Sequence, residues 1–196
     1  LGADGEAVWA RLGTFYNGNG FGAFFMPEVN DEVILGFMND DPRFPIILGS
    51  VYSSSIPAPE TPDEKNTIKT ILTQSQLQLK FDEENKVITL LTPGNNTIVI
   101  SDQDKGITLQ DQNNNKIQMN DSGIVVDSAS DLTLKAAQSV TVQGMSVTVK
   151  ADQSLSCTGG TVSVTGNQTT TVKGSAQCTI SSDGQMNVKG SIVGIN

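Results

Sequence analysis

The 196-residue chain has no histidine, two cysteines, one tryptophan and only 12 basic side chains against 21 acidic ones. Without histidine there is no imidazole base and no imidazole metal ligand. Two cysteines make neither a disulfide scaffold nor a four-thiolate zinc site. A net charge of −9 excludes the basic face that displaces counterions from nucleic-acid phosphates. It equally opposes docking on anionic lipid headgroups. No apolar run approaches the roughly 18 residues of a membrane span. The N-terminus has neither a basic n-region nor an apolar h-region. It also lacks a starting Met, which predicts a piece of a longer chain.

Two further shortages divide the chain. All aromatics lie at or before Phe81 and all prolines at or before Pro93. Charge follows the same gradient: residues 1–66 carry 3 basic and 10 acidic side chains, residues 131–196 carry 4 and 3. An aromatic, acidic head (1–55) therefore precedes a long tail (67–196) of Val, Ile, Thr, Ser, Gly, Asn and Gln. Between them, 56–66 opens with Ile56-Pro57-Ala58-Pro59-Glu60-Thr61-Pro62. Its prolines fix φ and remove donors, which predicts an extended spacer.

The tail is a repeat. Apolar or small residues recur in i, i+2 pairs, the strand period that places both members on one face. The pairs run Ile88/Leu90, Ile98/Ile100, Ile107/Leu109, Ile117/Met119, Ile124/Val126, Leu132/Leu134. They continue as Val140/Val142, Val147/Val149, Leu155/Cys157, Val162/Val164, Thr170/Val172, Cys178/Ile180 and Met186/Val188. To about residue 120 the step is 9–10 with polar turns; afterwards it tightens to 7–8 with Gly beside a polar residue. No helix fits such spacing. Short strands of this kind bury nothing alone and must stack into a β-solenoid. One chain winding on itself and three chains intertwining both satisfy the period. Small inward side chains, short loops and the want of a capping helix favour three chains. On that reading Val140, Val142, Val147, Val149, Leu155, Cys157, Val162, Val164, Val172, Cys178, Ile180, Met186 and Val188 face the trimer axis.

The head reads as a small antiparallel barrel or sandwich, with β-rich runs at Val8–Leu12, Gly22–Met26, Val33–Met38 and Ile46–Tyr52. Its aromatics Trp9, Phe15, Phe21, Phe24 and Phe25 read as core or interface packing. Gly18-Asn19-Gly20-Phe21-Gly22 lacks the Lys and Ser/Thr of a phosphate loop and reads as a tight turn between strands. Asp82-Glu83-Glu84 reads as a solvated hairpin turn. Asp102, Asp104, Asp111 and Asp121 occupy turns with no cleft around them. No catalytic residue, metal site or cofactor is expected.

The head also carries an ordered set of motifs: Trp9-Ala10-Arg11, Gly18-Asn19-Gly20-Phe21-Gly22, Pro27 with Glu32-Val33 a few residues on, Asp41-Pro42-Arg43-Phe44-Pro45-Ile46 and Gly49-Ser50-Val51-Tyr52. In this it resembles the OB-fold domain of VgrG-type spike proteins of type VI secretion and related contractile injection systems. Where that family usually has Gly before its acidic step, this chain has Asn30, which tolerates positive φ. The resemblance implies an all-β homotrimer, an OB-fold barrel on a triple-stranded intertwined β-helix. It implies a first strand and an N-terminal hub that this chain lacks, the hub joining a tail tube. It implies a structural, non-enzymatic spike driven mechanically through a target membrane, assembled in the cytoplasm and released on firing. A PAAR-repeat tip protein would sit at Ser191, Ile192, Val193, Gly194, Ile195 and Asn196. The alternatives are a single-chain parallel β-helix acting on polysaccharide and a trimeric phage tail fibre.

Overall fold

A computed structural model describes residues 7–195. The chain is all-β apart from one 3-10 turn, and divides into two units, Leu1–Leu134 and Lys135–Asn196.

In the head, β1 (Arg11–Leu12), β5 (Pro45–Ser50) and β4 (Val33–Phe37) form a three-stranded sheet in the order β1-β5-β4. β1 runs parallel to β5 and β4 antiparallel to it, with a register shift between Ile34 and Leu35. A separate hairpin pairs β2 (Asn17–Gly18) with β3 (Phe21–Gly22). The glycine-rich motif is thus the expected tight turn. Gly18 has no side chain because the Phe21 ring lies over it; a Cβ there would stand 2.1 Å from the ring. Asn30 has φ of 80°, so it takes the turn geometry expected of a family glycine. The run Gly22–Met26 differs from expectation. Only its first residue is in a strand: Gly22 has φ of 140°, and the pairing ends at Ala23, whose N–H donates to Tyr16 C=O (2.8 Å).

The first part of the tail is a seven-stranded antiparallel meander: β6 (Ile68–Leu72), β7 (Gln78–Asp82), β8 (Val87–Leu91), β9 (Thr97–Ser101), β10 (Gly106–Gln110), β11 (Lys116–Asn120) and β12 (Gly123–Asp127). Every strand pairs with its neighbours in sequence. The sequence reading takes 67–196 as one stack; over 68–127 the chain instead folds back on itself strand by strand.

The turns explain why. Thr73, Thr92 and Asp111, each 19 residues from the next, cap one edge of the sheet. Their side-chain oxygens accept hydrogen bonds from the backbone N–H of Leu77 (3.0 Å), Asn96 (3.2 Å) and Asn115 (2.8 Å). In each, the residue before the donating N–H is left-handed: Gln76, Asn95, Asn114. The opposite edge repeats at the same interval. Asp63, Asp82, Ser101 and Asn120 accept from the N–H of Asn66, Asn85, Asp104 and Ser122. Polar side chains that bond their own backbone and tolerate αL geometry close tight turns. Tight turns join antiparallel neighbours.

From residue 135 onward the described backbone contains no strand and no backbone–backbone hydrogen bond. Its bends fall at 137–138, 145, 152–153, 160, 167–168, 175–176, 183–184 and 191–192, which keeps the step of 7–8 residues read from the sequence.

Candidate assembly surface

The meander has two unlike faces. Directly opposed residues share a face of a sheet. The pairing therefore lines up Phe81, Ile88, Ile100, Ile107, Met119 and Ile124 in one row. A second row on the same face runs Ile71, Leu79, Leu90, Ile98, Leu109, Ile117 and Val126. These are the i, i+2 anchors read from the sequence, now brought together across strands. The other face carries Thr70, Lys80, Thr89, Val99, Thr108, Gln118 and Val125 in its middle row.

The mixed face receives the connector. Ile56, Ala58 and Glu60 are half-buried in alternation, and the Glu60 carboxylate meets Lys80 at 3.3 Å. Lys65 pairs with Glu84 at 2.8 Å and Lys69 with Glu83 at 2.5 Å. Three ion pairs thus tie 60–69 to the β7–β8 hairpin and its turn. The Asp82-Glu83-Glu84 run is that turn, as expected, and Asn85 bonds hold the Asp82 carboxyl below its ordinary range.

The apolar face lies open along its length. Among the described residues no apolar core side chain is fully buried; Pro45 and Ser101 are the buried residues. Two adjacent rows of mostly exposed apolar side chains make a contiguous apolar surface, and such a surface marks an interface.

At the exit of the meander, Asn115 makes a joint. Its Oδ1 accepts hydrogen bonds from Ala129 N–H (3.0 Å) and Ser128 Oγ (3.2 Å), while its Nδ2 donates to Asp111 Oδ2 (2.8 Å). The Asp111 carboxylate is held below its ordinary range, chiefly by that Asn115 bond. Sequence reading left Asp111 as a turn residue and did not single out Asn115. The 19-residue recurrence of turn caps was the available signal.

The thirteen residues expected at a trimer axis, Val140 to Val188, all lie in the second unit and all are exposed in the single chain, Val142 and Val172 to 71%. The chain by itself does not bring them together. Cys157 and Cys178 are free thiols on the same stretch. Ser191, Ile192, Val193, Gly194 and Ile195 are exposed, and Asn196 lies outside the described residues. In the head, Trp9 is 95% exposed and Phe15, Phe24 and Phe25 are exposed too. They form no core among the described residues.

Residues 135–195 present a long run of backbone donors and acceptors with no backbone partner among the described residues. Backbone polar groups are almost always paired when buried. A single-chain solenoid pairs rung on rung; this chain does not. Comparison with known proteins agrees. Residues 1–52 match the type VI secretion system/phage-baseplate injector OB domain, and 87–156 match the phage baseplate V C-terminal trimerisation domain. Between them the two cover well over half of the chain.

The chain belongs to the VgrG-type spike family. It is similar to the type VI secretion system spike protein VgrG4b of Pseudomonas aeruginosa, 36% identical over 58 residues, or 30% of this chain and 7% of that protein. Spike protein VgrG3 of Vibrio cholerae is 38% identical over 68 residues, 34% of this chain and 6% of that protein. The actin cross-linking toxin VgrG1 of Vibrio cholerae is 35% identical over 71 residues, 36% of this chain and 6% of that protein. The chain thus matches less than a tenth of the length of these curated relatives. The trimerisation-domain match over 87–156 fits a homotrimer.

Proposed function

We propose that the chain is the distal part of a membrane-piercing spike on a contractile injection tube. Three copies cover one another's apolar rows over 68–127. Beyond 134 they intertwine into a β-prism needle, with Val140 to Val188 toward the axis. The head (1–55), the connector (56–66) and the needle (67–196) then act in series. An N-terminal hub mounts the spike on the tail tube, and sheath contraction drives it through a target-cell membrane. The particle is assembled in the cytoplasm and the spike leaves the cell on firing. Its work is mechanical rather than enzymatic. Ser191–Asn196 carries a PAAR-repeat tip protein, for which the exposed Ile192 and Ile195 offer an apolar end.

The observation that carries this reading is the unpaired backbone of 135–195. Interchain ladders satisfy those groups, and no copy leaves without breaking them along the whole length, which makes unfolding slow. Light scattering should give three times 20.7 kDa, with the trimer surviving unheated SDS. A chain ending at Gly190 should remain trimeric but lose binding to a purified PAAR-repeat protein. A 20.7 kDa monomer would overturn the spike; tip binding by the shortened chain would overturn the docking site.

A further inference from the structure

The head's three-stranded sheet has two unlike ends: one carries Arg11 and Arg43 beside Asp40 and Asp41, the other carries Glu28, Asp31 and Glu32. At the end where β4 finishes and β5 begins, a cavity is lined by Trp9, Arg11, Met38, Arg43, Phe44 and Pro45. The Arg43 guanidinium already holds Asp41 (2.7 Å) and lies 5.8 Å from the Phe44 ring centroid. Arg11 differs. It donates only to the Met38 sulfur, at 3.8 Å, and has no carboxylate within ion-pair distance among the described residues. Arginine in a cavity with aromatic faces and no anion among the described residues is suited to receiving a carboxylate.

The other end of the same sheet supplies that chemistry. The turn before β4 holds Glu28, Asp31 and Glu32, with Val29 exposed at its crest. The turn is built: Asp31 N–H donates to Glu28 C=O (3.0 Å), Asp31 Oδ2 accepts from Glu28 N–H (2.8 Å), and Asn30 is left-handed. Val51 N–H donates to Glu32 C=O, which anchors it to the end of β5. None of the three acids is in an ion pair among the described residues. About five residues of β4, roughly 16 Å, separate the two ends. They cannot meet within one copy.

Complementary patches at opposite ends of one element make a head-to-tail contact, and such contacts close into rings when the rotation allows. We propose that the Trp9–Arg11 cavity of each copy receives the Glu28–Glu32 turn of the next, closing the three heads into a ring. The proposal rests on the homotrimer. It adds a polar, heterologous contact between heads to the apolar rows of the meander, and it gives Trp9 a cover.

Trp9 is the chain's one tryptophan, so its fluorescence reads this contact without a label. In the wild-type trimer its emission should be blue-shifted and poorly quenched by acrylamide. Glu28→Lys with Glu32→Arg, both on the exposed turn, should red-shift it and raise quenching toward that of free tryptophan, with the trimeric mass unchanged. Arg11→Glu should do the same, and joining it to the turn variants should restore the wild-type signal. Wild-type Trp9 as open to acrylamide as free tryptophan, or a signal unmoved by the turn variants, overturns the ring while the trimer stands. So does a Trp9 covered only in a longer chain, since that assigns the cavity to a preceding segment. A monomeric mass overturns trimer and ring together.

Discussion

Ile124→Ala is the sharpest probe of the apolar rows. Ile124 and Val125 are adjacent on β12 and comparably open in the single chain, at 70% and 59% exposure. They point to opposite faces. Ile124 ends the row that runs from Phe81, whereas Val125 sits on the face that carries Lys80 and the connector. If three copies cover the apolar rows, association removes the remaining surface of Ile124 but not that of Val125. Full burial of an isoleucine contributes about 1.5–3 kcal/mol, so the exposed share is about 1–2 kcal/mol per copy. Three copies give about 3–6 kcal/mol, or roughly a hundredfold to ten-thousandfold in the trimer association constant. Val125→Ala should stay within about 0.5 kcal/mol, as exposed substitutions do. The assay is sedimentation of both variants and wild type across a guanidinium series, reading the concentration at which the trimer dissociates. A clear drop for Ile124→Ala beside an unmoved Val125→Ala is expected. Equal effects, or none from Ile124→Ala, would refute the assignment of faces.

Two other outcomes are expected. Val147→Asp places three carboxylates near the proposed axis, where unpaired buried charge is strongly unfavourable; gel filtration should show assembly blocked, and a heat-resistant trimer would end the inward assignment. Asp111 has a depressed folded pKa, so its contribution is full above the ordinary value of 3.8 and is lost as pH falls below it. Asp111→Asn should therefore melt below wild type at pH 7, and the gap should close on acidification; a gap that persists in acid would place the effect in shape rather than charge.

Much of this arrangement is written in the sequence, but unevenly. The i, i+2 anchors locate the strands from β8 to β12, and each anchor falls on the face the alternation requires. Alternation does not distinguish a hairpin from a solenoid rung, since both have a period of two. The turns make that distinction. Thr92-Pro93-Gly94-Asn95-Asn96 and Asp111-Gln112-Asn113-Asn114-Asn115 reverse the chain because each has a side-chain cap at its first residue and a left-handed Asn at its fourth. Past Asp131 that pattern stops, and so does pairing within the chain. The head was legible as motifs. Its open aromatics were not, because Trp9 or Phe24 on a strand reads alike whether its cover is its own chain or another. The opposed charges of Arg11 and Glu32 needed the sheet register to be seen as two ends of one element.

The Asn115 joint bears on how a threefold needle could be wound without error. A stretch whose segments recur every 7–8 residues offers many nearly equivalent alignments, each one repeat out of step with the next. Strands with repetitive patterning slip easily. The meander has no such freedom, since each hairpin is closed by its own caps and local pairing forms early. Asn115 holds Ser128 and Ala129 at its edge, so each copy leaves the meander at the same residue. In the proposed needle, three chains released from one height start in phase. On the proposed reading the joint is a starting mark, and the needle beyond it takes its alignment from the meander, whose local pairing forms early.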